Sequence, residues 1–107
     1  MMQVLAEPVP LSKDADGVLR IGGTRVPLET VVHAFESGAT PEEISQDFPV
    51  LDLADVYATV TYYLRHRNEV AEYLERRATE AEAIRRKVEA RSPANANLRE
   101  RLMARLR

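Results

Sequence analysis

The side chains able to do chemistry are few and poorly spaced for it. The two histidines, His33 and His66, stand alone, and neither has a His or Cys companion at metal-ligand spacing. Each reads as a polar helix residue, with His66 between Arg65 and Arg67 at a helix end where a cation favours the dipole. The 107 residues contain no Cys, which excludes disulfides, zinc–thiolate sites and thiol catalysis. Ser12, Ser37, Ser45 and Ser92 stand at caps, turns and linkers, none in a nucleophile elbow. Gly22-Gly23-Thr24 lacks the following Lys of a phosphate loop. Asp14-Ala15-Asp16-Gly17 opens like a calcium loop but has no acidic residue at the far end. The expectation is a protein that is not an enzyme and uses no metal or cofactor.

What remains is arginine. Leu98, Leu102 and Leu106 form an i, i+4, i+8 row with Arg99, Arg101, Arg105 and Arg107 around it. Ten residues are too few for a stable isolated helix, so this stripe calls for a partner. Guanidinium stays charged and pairs bidentately with carboxylates, which suits an acidic groove. Leu98, Arg99, Arg101, Leu102, Arg105 and Leu106 are therefore the candidate partner-binding residues.

Charge is divided along the chain. Residues 1–63 hold three basic and ten acidic residues, a net −7, and residues 64–107 hold twelve basic and seven acidic ones, a net +5. The total of −2 excludes a generic basic nucleic-acid binder. It also lets the halves, or two copies of the chain, attract each other. A 45% apolar content is enough for a core, built mostly of Leu, Val, Ile and Ala because aromatics are 6%. No apolar run approaches the ~20 residues of a membrane span. Met1 to Pro10 has no basic residue ahead of its apolar stretch, so it does not read as a signal peptide. A cytoplasmic location is expected.

The elements that would position these residues follow from local signals. Val9 to Ser12, Val18 to Ile21 and Thr24 to Val26 read as short extended runs around turns at Asp14–Gly17 and Gly22-Gly23, a ribbon of two or three strands. Leu28, Val31, Val32 and Phe35 mark a first helix to about Ser37, closed by Gly38. Thr40-Pro41-Glu42-Glu43 is a capping box with Pro at the first helical position, opening a second helix that stops before Pro49. Asp52 caps a third, whose apolar spacing is Leu53, Val56, Tyr57, Val60 and Leu64 and which runs towards Arg67. Three helices with brief turns fit the helix-turn-helix class. A long helix begins near Asn68-Glu69-Val70, with a seam of Val70, Leu74, Ala81, Ile84 and Val88 for dimerisation or a partner helix. Ser92 to Asn97 is a linker. The organisation is thus a mainly α domain over 1–67, a long helix over 68–91, and a linker and binding arm, with a short terminal helix, over 92–107.

Within 16–64, Gly22-Gly23-Thr24-Arg25-Val26-Pro27-Leu28 resembles the Arg-Gly-Thr-Arg-Ile-Pro-Val signature of a widespread small prokaryotic domain family linked to VapB-type antitoxins. Ser37-Gly38-Ala39-Thr40-Pro41-Glu42-Glu43-Ile44 is similar to its Gly-x-Ser/Thr-Pro-Glu-Glu-Ile turn, Asp47-Phe48-Pro49-Val50-Leu51 to its Pro-containing link, and Asp55-Val56-Tyr57-Ala58 to its Asp-Val-x-Ala helix start. Gly22 stands where the signature has its first Arg. The resemblance implies a homeodomain-like or winged helix-turn-helix core. It also implies a role as antitoxin to a PIN-like ribonuclease toxin whose carboxylates hold magnesium. Such antitoxins bind DNA with one part and wrap the toxin with a C-terminal part, as homodimers or hetero-oligomers.

Arginines from residues 98–107 would then enter the toxin's groove. Operator DNA would meet Arg25 and the helix positions Thr59, Thr61, Tyr62 and Arg65. Phosphate contacts dominate DNA affinity, and an acidic front half opposes them. A stand-alone dimeric DNA-binding regulator is the alternative reading.

Overall fold

The computed structural model describes residues 2–91. The expected linker and the candidates Leu98, Arg99, Arg101, Leu102, Arg105 and Leu106 lie outside the described residues. The described chain is mainly helical, with a two-stranded antiparallel hairpin at its start. No helix among the described residues is long and apolar enough to cross a membrane.

Strands β1 (Leu11–Lys13) and β2 (Leu19–Ile21) pair with Leu11 opposite Ile21 and Lys13 opposite Leu19. Asp14 organises the turn between them. One carboxylate oxygen accepts from the Asp16 amide at 2.9 Å and the Val18 amide at 3.0 Å, and the other accepts from Arg20 Nε at 2.9 Å. Gly17 supplies the positive φ of +82°. The run Thr24 to Val26 does not become a third strand: a single bridge joins Arg20 to Pro27. The Gly22-Gly23 turn closes through Thr24 N–H to Ile21 O at 2.9 Å, and Pro27 then has no N–H with which to extend a ladder.

Helix α1 (Leu28–Glu36) ends at Ser37 and Gly38, whose φ of +101° lets the chain turn away. Helix α2 (Pro41–Asp47) opens with both halves of the capping box, Thr40 Oγ1 accepting from Glu43 N–H and Glu43 Oε1 accepting from Thr40 N–H. Helix α3 (Leu53–Arg65) is capped by Asp52, which accepts from Ala54 N–H at 2.9 Å. The break before α4 (Arg67–Arg91) falls at His66, earlier than the expected end near Arg67.

Ile21, Val31, Ile44, Leu51, Val56 and Val60 form the core, with Leu11, Val26, Phe35 and Phe48 packed around it. Here α3 departs from its spacing. Leu53, Tyr57 and Leu64 are 40%, 45% and 46% exposed, while Val56, Thr59 and Val60 are buried. Two arcs of α3 overlap at Val56 and Val60, and both satisfy a 3–4 spacing. The buried arc is the one whose small β-branched side chains admit close packing against α1 and α2. Its last member, Tyr63, meets Phe35 edge to face with ring centres 6.2 Å apart.

The chain divides between Ala71 and Glu72 into two units. Val70 is buried and closes the first unit. In the second, α4 exposes Ala81, Ile84 and Val88. Its charges pair along the helix, Arg85 and Arg86 both reaching Glu82.

Candidate functional site

Among the helices of the first unit, α3 exposes a stripe of large apolar side chains along its outward arc. Leu53, Tyr57 and Leu64 lie on one side of the helix, at i, i+4 and i+11, and Val50 in the loop before it is 65% exposed. Charge along most of this arc is negative, with Arg65 and Arg67 at its Leu64 end. Residues 41–64 contain Glu42, Glu43, Asp47, Asp52 and Asp55 and no Lys, Arg or His. Of these, Glu42, Glu43, Asp47 and Asp52 are exposed.

Tyr57 ties α3 to α2 by donating its hydroxyl proton to the Glu42 carboxylate. That hydrogen bond holds the Glu42 carboxyl below the usual carboxylate range and pushes the Tyr57 phenol up. On the opposite flank Tyr63 donates to Glu36 of α1, which raises the Tyr63 phenol, and the Arg67 guanidinium sits 5.5 Å from the Tyr63 ring centre. Both tyrosines act as struts between helices, with an apolar ring against the fold and a polar tip on a carboxylate.

Asp55 faces the hairpin instead. A Cβ placed on Gly22, whose φ is +54°, would lie 2.6 Å from Asp55 Oδ2. Gly22 therefore gives the β2 turn a close approach to the start of α3 that a side chain would obstruct.

The candidate DNA contacts fare unevenly. Thr59 is corrected: it is fully buried among the core residues of α3, and its hydroxyl donates to Asp55 O at 2.7 Å, so it cannot reach a base or a phosphate. Thr61 and Arg65 are exposed one turn apart on one face, with Thr61 Oγ1 donating to Tyr57 O at 2.8 Å. Tyr62 is half-buried, its ring stacked on His66 at 4.2 Å between centres. Arg25 is exposed in the turn after β2, its carbonyl held by the Arg20 guanidinium. Arg25 and Arg65 are thus the cations this set offers to a phosphate.

The seam of α4 also divides. Val70 is 3% exposed and belongs to the core of the first unit, so it is not open to a partner, and Leu74 is half-buried. Ala81, Ile84 and Val88 remain exposed at i, i+3 and i+7, Ile84 by 63% and Val88 by 55%. Among the described residues, no group of three or more His, Asp or Glu side chains is placed to hold a metal ion.

Sequence reasoning missed the Glu42–Tyr57 strut and the Gly22–Asp55 approach. Both join residues far apart in the chain, where periodicity carries no signal. The one available hint was the presence of a Tyr on the apolar spacing of α3, since a Tyr hydroxyl needs a polar partner when its ring packs.

Residues 14–63 match the model of a family described as a protein of unknown function (DUF433). The match runs from the turn after β1 to Tyr63 of α3 and leaves α4 outside it. No curated protein and no solved structure matches the chain.

Proposed function

We propose that the chain is the antitoxin of a type II toxin–antitoxin pair, an interaction protein that binds and inhibits a PIN-like ribonuclease through its basic back half. The observation that carries this reading is the exposed row Ala81, Ile84 and Val88 on a helix in the half of the chain with net positive charge. An apolar row left on a charged, solvated helix is a surface kept for a partner. The Leu98, Leu102 and Leu106 row with its arginines continues the same chemistry further along the sequence. An arginine inserted among metal-binding carboxylates takes the place and charge of the metal ion, which silences a nuclease that depends on it. The resemblance of the Gly22–Leu28, Ser37–Ile44 and Asp55–Ala58 segments to VapB-type antitoxins supports the same reading.

In this reading α2 and α3 are the helix-turn-helix of the front domain. Autorepression of the operon through it would draw its phosphate contacts from Arg25 and Arg65, because the intervening surface is acidic.

Co-expression with the neighbouring open reading frame tests the proposal, with a tag on this chain. The full chain is expected to retain a nuclease and abolish its RNA cleavage. Versions ending at Arg91, or carrying Ile84→Asp with Val88→Asp, are expected to lose part or all of both. If the full chain retains no partner, or retains one whose cleavage is unaffected, the antitoxin reading fails. Sequence-specific retardation of operator DNA by the chain alone, steeply weakened by salt, would then favour the regulator.

A further inference from the structure

We propose that the outward face of α2 and α3 is a docking surface for residues 98–107 of a second copy of the chain. This inference engages the same residues 98–107 that the antitoxin reading gives to the nuclease, and its test needs no other protein. The face presents Leu53, Tyr57 and Leu64, with Val50 beside the start of α3. Exposure of three large apolar side chains along one arc of a helix costs solvation that a docked partner removes.

Charge complementarity selects the occupant. The face carries the exposed carboxylates Glu42, Glu43, Asp47 and Asp52, with the cations Arg65 and Arg67 at its Leu64 end. Two such faces meeting around a symmetry axis would set like charges against each other, so the face does not suit itself. Duplex DNA is repelled for the same reason. The surface fits a basic segment with its own apolar row. Residues 98–107 are such a segment, with four arginines against one glutamate around Leu98, Leu102 and Leu106.

The dimensions agree. At helical spacing the Leu98–Leu106 row spans about 12 Å, and the Leu53–Leu64 stripe spans about 16 Å. Tyr57 belongs to both parts of the surface, its ring in the stripe and its hydroxyl on Glu42.

A segment that folded back onto the face of its own molecule would leave the full chain monomeric, so the molecular mass distinguishes the two placements. The exchange can be reciprocal, each copy lending its terminal segment to the other.

The test is the molecular mass of the purified full chain by light scattering across a concentration series, with circular dichroism confirming that each variant is folded. The full chain is expected to approach twice the monomer mass. Leu102→Glu with Leu106→Glu, and separately Leu53→Gln with Leu64→Gln, are each expected to halve it. Mixing these two variants is expected to restore a heterodimer, because one keeps an intact face and the other an intact segment. A synthetic peptide of residues 95–107 should bind the Leu102→Glu/Leu106→Glu chain saturably, with affinity falling as salt rises. A monomeric full chain overturns the proposal. So does a dimer that survives both pairs of substitutions, or one abolished by Ile84→Asp with Val88→Asp while the α3 face is intact. If the face variant fails to fold, the peptide titration decides alone, and absence of binding overturns the proposal.

Discussion

Gly22→Ala is the substitution whose cost can be worked from two separate geometric facts. The first is backbone conformation. Gly22 has φ +54°, and an L side chain there costs about 1–2 kcal/mol relative to glycine. The second is space. The new Cβ would sit 2.6 Å from Asp55 Oδ2, so the carboxylate must swing away, at about 0.5–1.5 kcal/mol for a side chain driven off its rotamer. The total is about 1.5–3.5 kcal/mol. Gly23 is the built-in control, because its φ is +72° and nothing lies within 4 Å of a Cβ there, so Gly23→Ala reports the backbone part alone. Asp55→Ala removes the obstacle. In that background Gly22→Ala should cost only what Gly23→Ala costs, and a double-mutant cycle isolates the contact. Urea unfolding followed by tyrosine fluorescence is the assay, since Tyr57, Tyr62 and Tyr63 all lie in α3. With m of about 1 kcal/mol/M, each kcal/mol moves the midpoint by about 1 M. The reasoning is refuted if Gly22→Ala costs no more than Gly23→Ala, or if its cost is unchanged without Asp55.

The same unfolding assay checks three more expectations. Thr59→Val should shift stability by less than about 1 kcal/mol, because the helical N–H remains to satisfy Asp55 O, whereas Thr59→Lys should cost more than about 3 kcal/mol by burying a charge. A Thr59→Lys protein as stable as the parent would mean that α3 faces the other way. Thr40→Ala and Asp52→Ala should each cost about 1 kcal/mol through lost helix caps, and equal stability of either variant would remove that cap from the account. Stability should also fall in acid. The hydrogen bond from Tyr57 lowers the Glu42 carboxyl, and the Val18 amide, followed by Arg20 and the Asp16 amide, lowers that of Asp14. With folded values below unfolded ones, the unfolded chain binds more protons as pH falls, so this stability is present above the ordinary carboxylate range and lost below it. Urea midpoints between neutral and acid pH should decline, and less steeply in Tyr57→Phe and Asp14→Asn. A parent midpoint that rises in acid, or variants that decline as steeply, would refute the assignment.

Signals confined to a few neighbouring residues are legible in the amino-acid sequence itself. The Thr40-Pro41-Glu42-Glu43 capping box, the Asp52 cap and the Gly38 stop are each decided by their own backbone, and each stands where the sequence places it. Less legible is which side of a helix meets its neighbours. On α3 the arc Leu53, Tyr57 and Leu64 is richer in large apolar residues, so composition favours it, yet the buried arc holds Thr59. A threonine can occupy a core because its hydroxyl returns a hydrogen bond to the carbonyl one turn back, which leaves its methyl as the packing surface. The third extended run fails for a comparable reason. Its residues suit a strand, but the pairing depends on a turn and a proline whose combined effect is three-dimensional. The candidate surface is half legible: its acidity is plain in the composition of residues 41–64, whereas its apolar stripe has the spacing of a buried face.

The acidity of that surface has a structural origin of its own. Glu42 and Glu43 stand in the first turn of α2, Asp52 caps α3, and Asp55 stands in its first turn. Carboxylates in these places interact favourably with the positive end of the helix dipole and satisfy free amides, by about 0.3–1 kcal/mol each. The residues that start the two helices therefore also set the sign of the field around them. A helix pair started this way is stable but presents negative potential to a phosphate backbone, and no cation occurs between Pro41 and Leu64 to reverse it. The same potential attracts arginine. The local chemistry that folds the front domain thus suits a basic apolar segment better than nucleic acid at the α2–α3 face, and residues 98–107 have that composition.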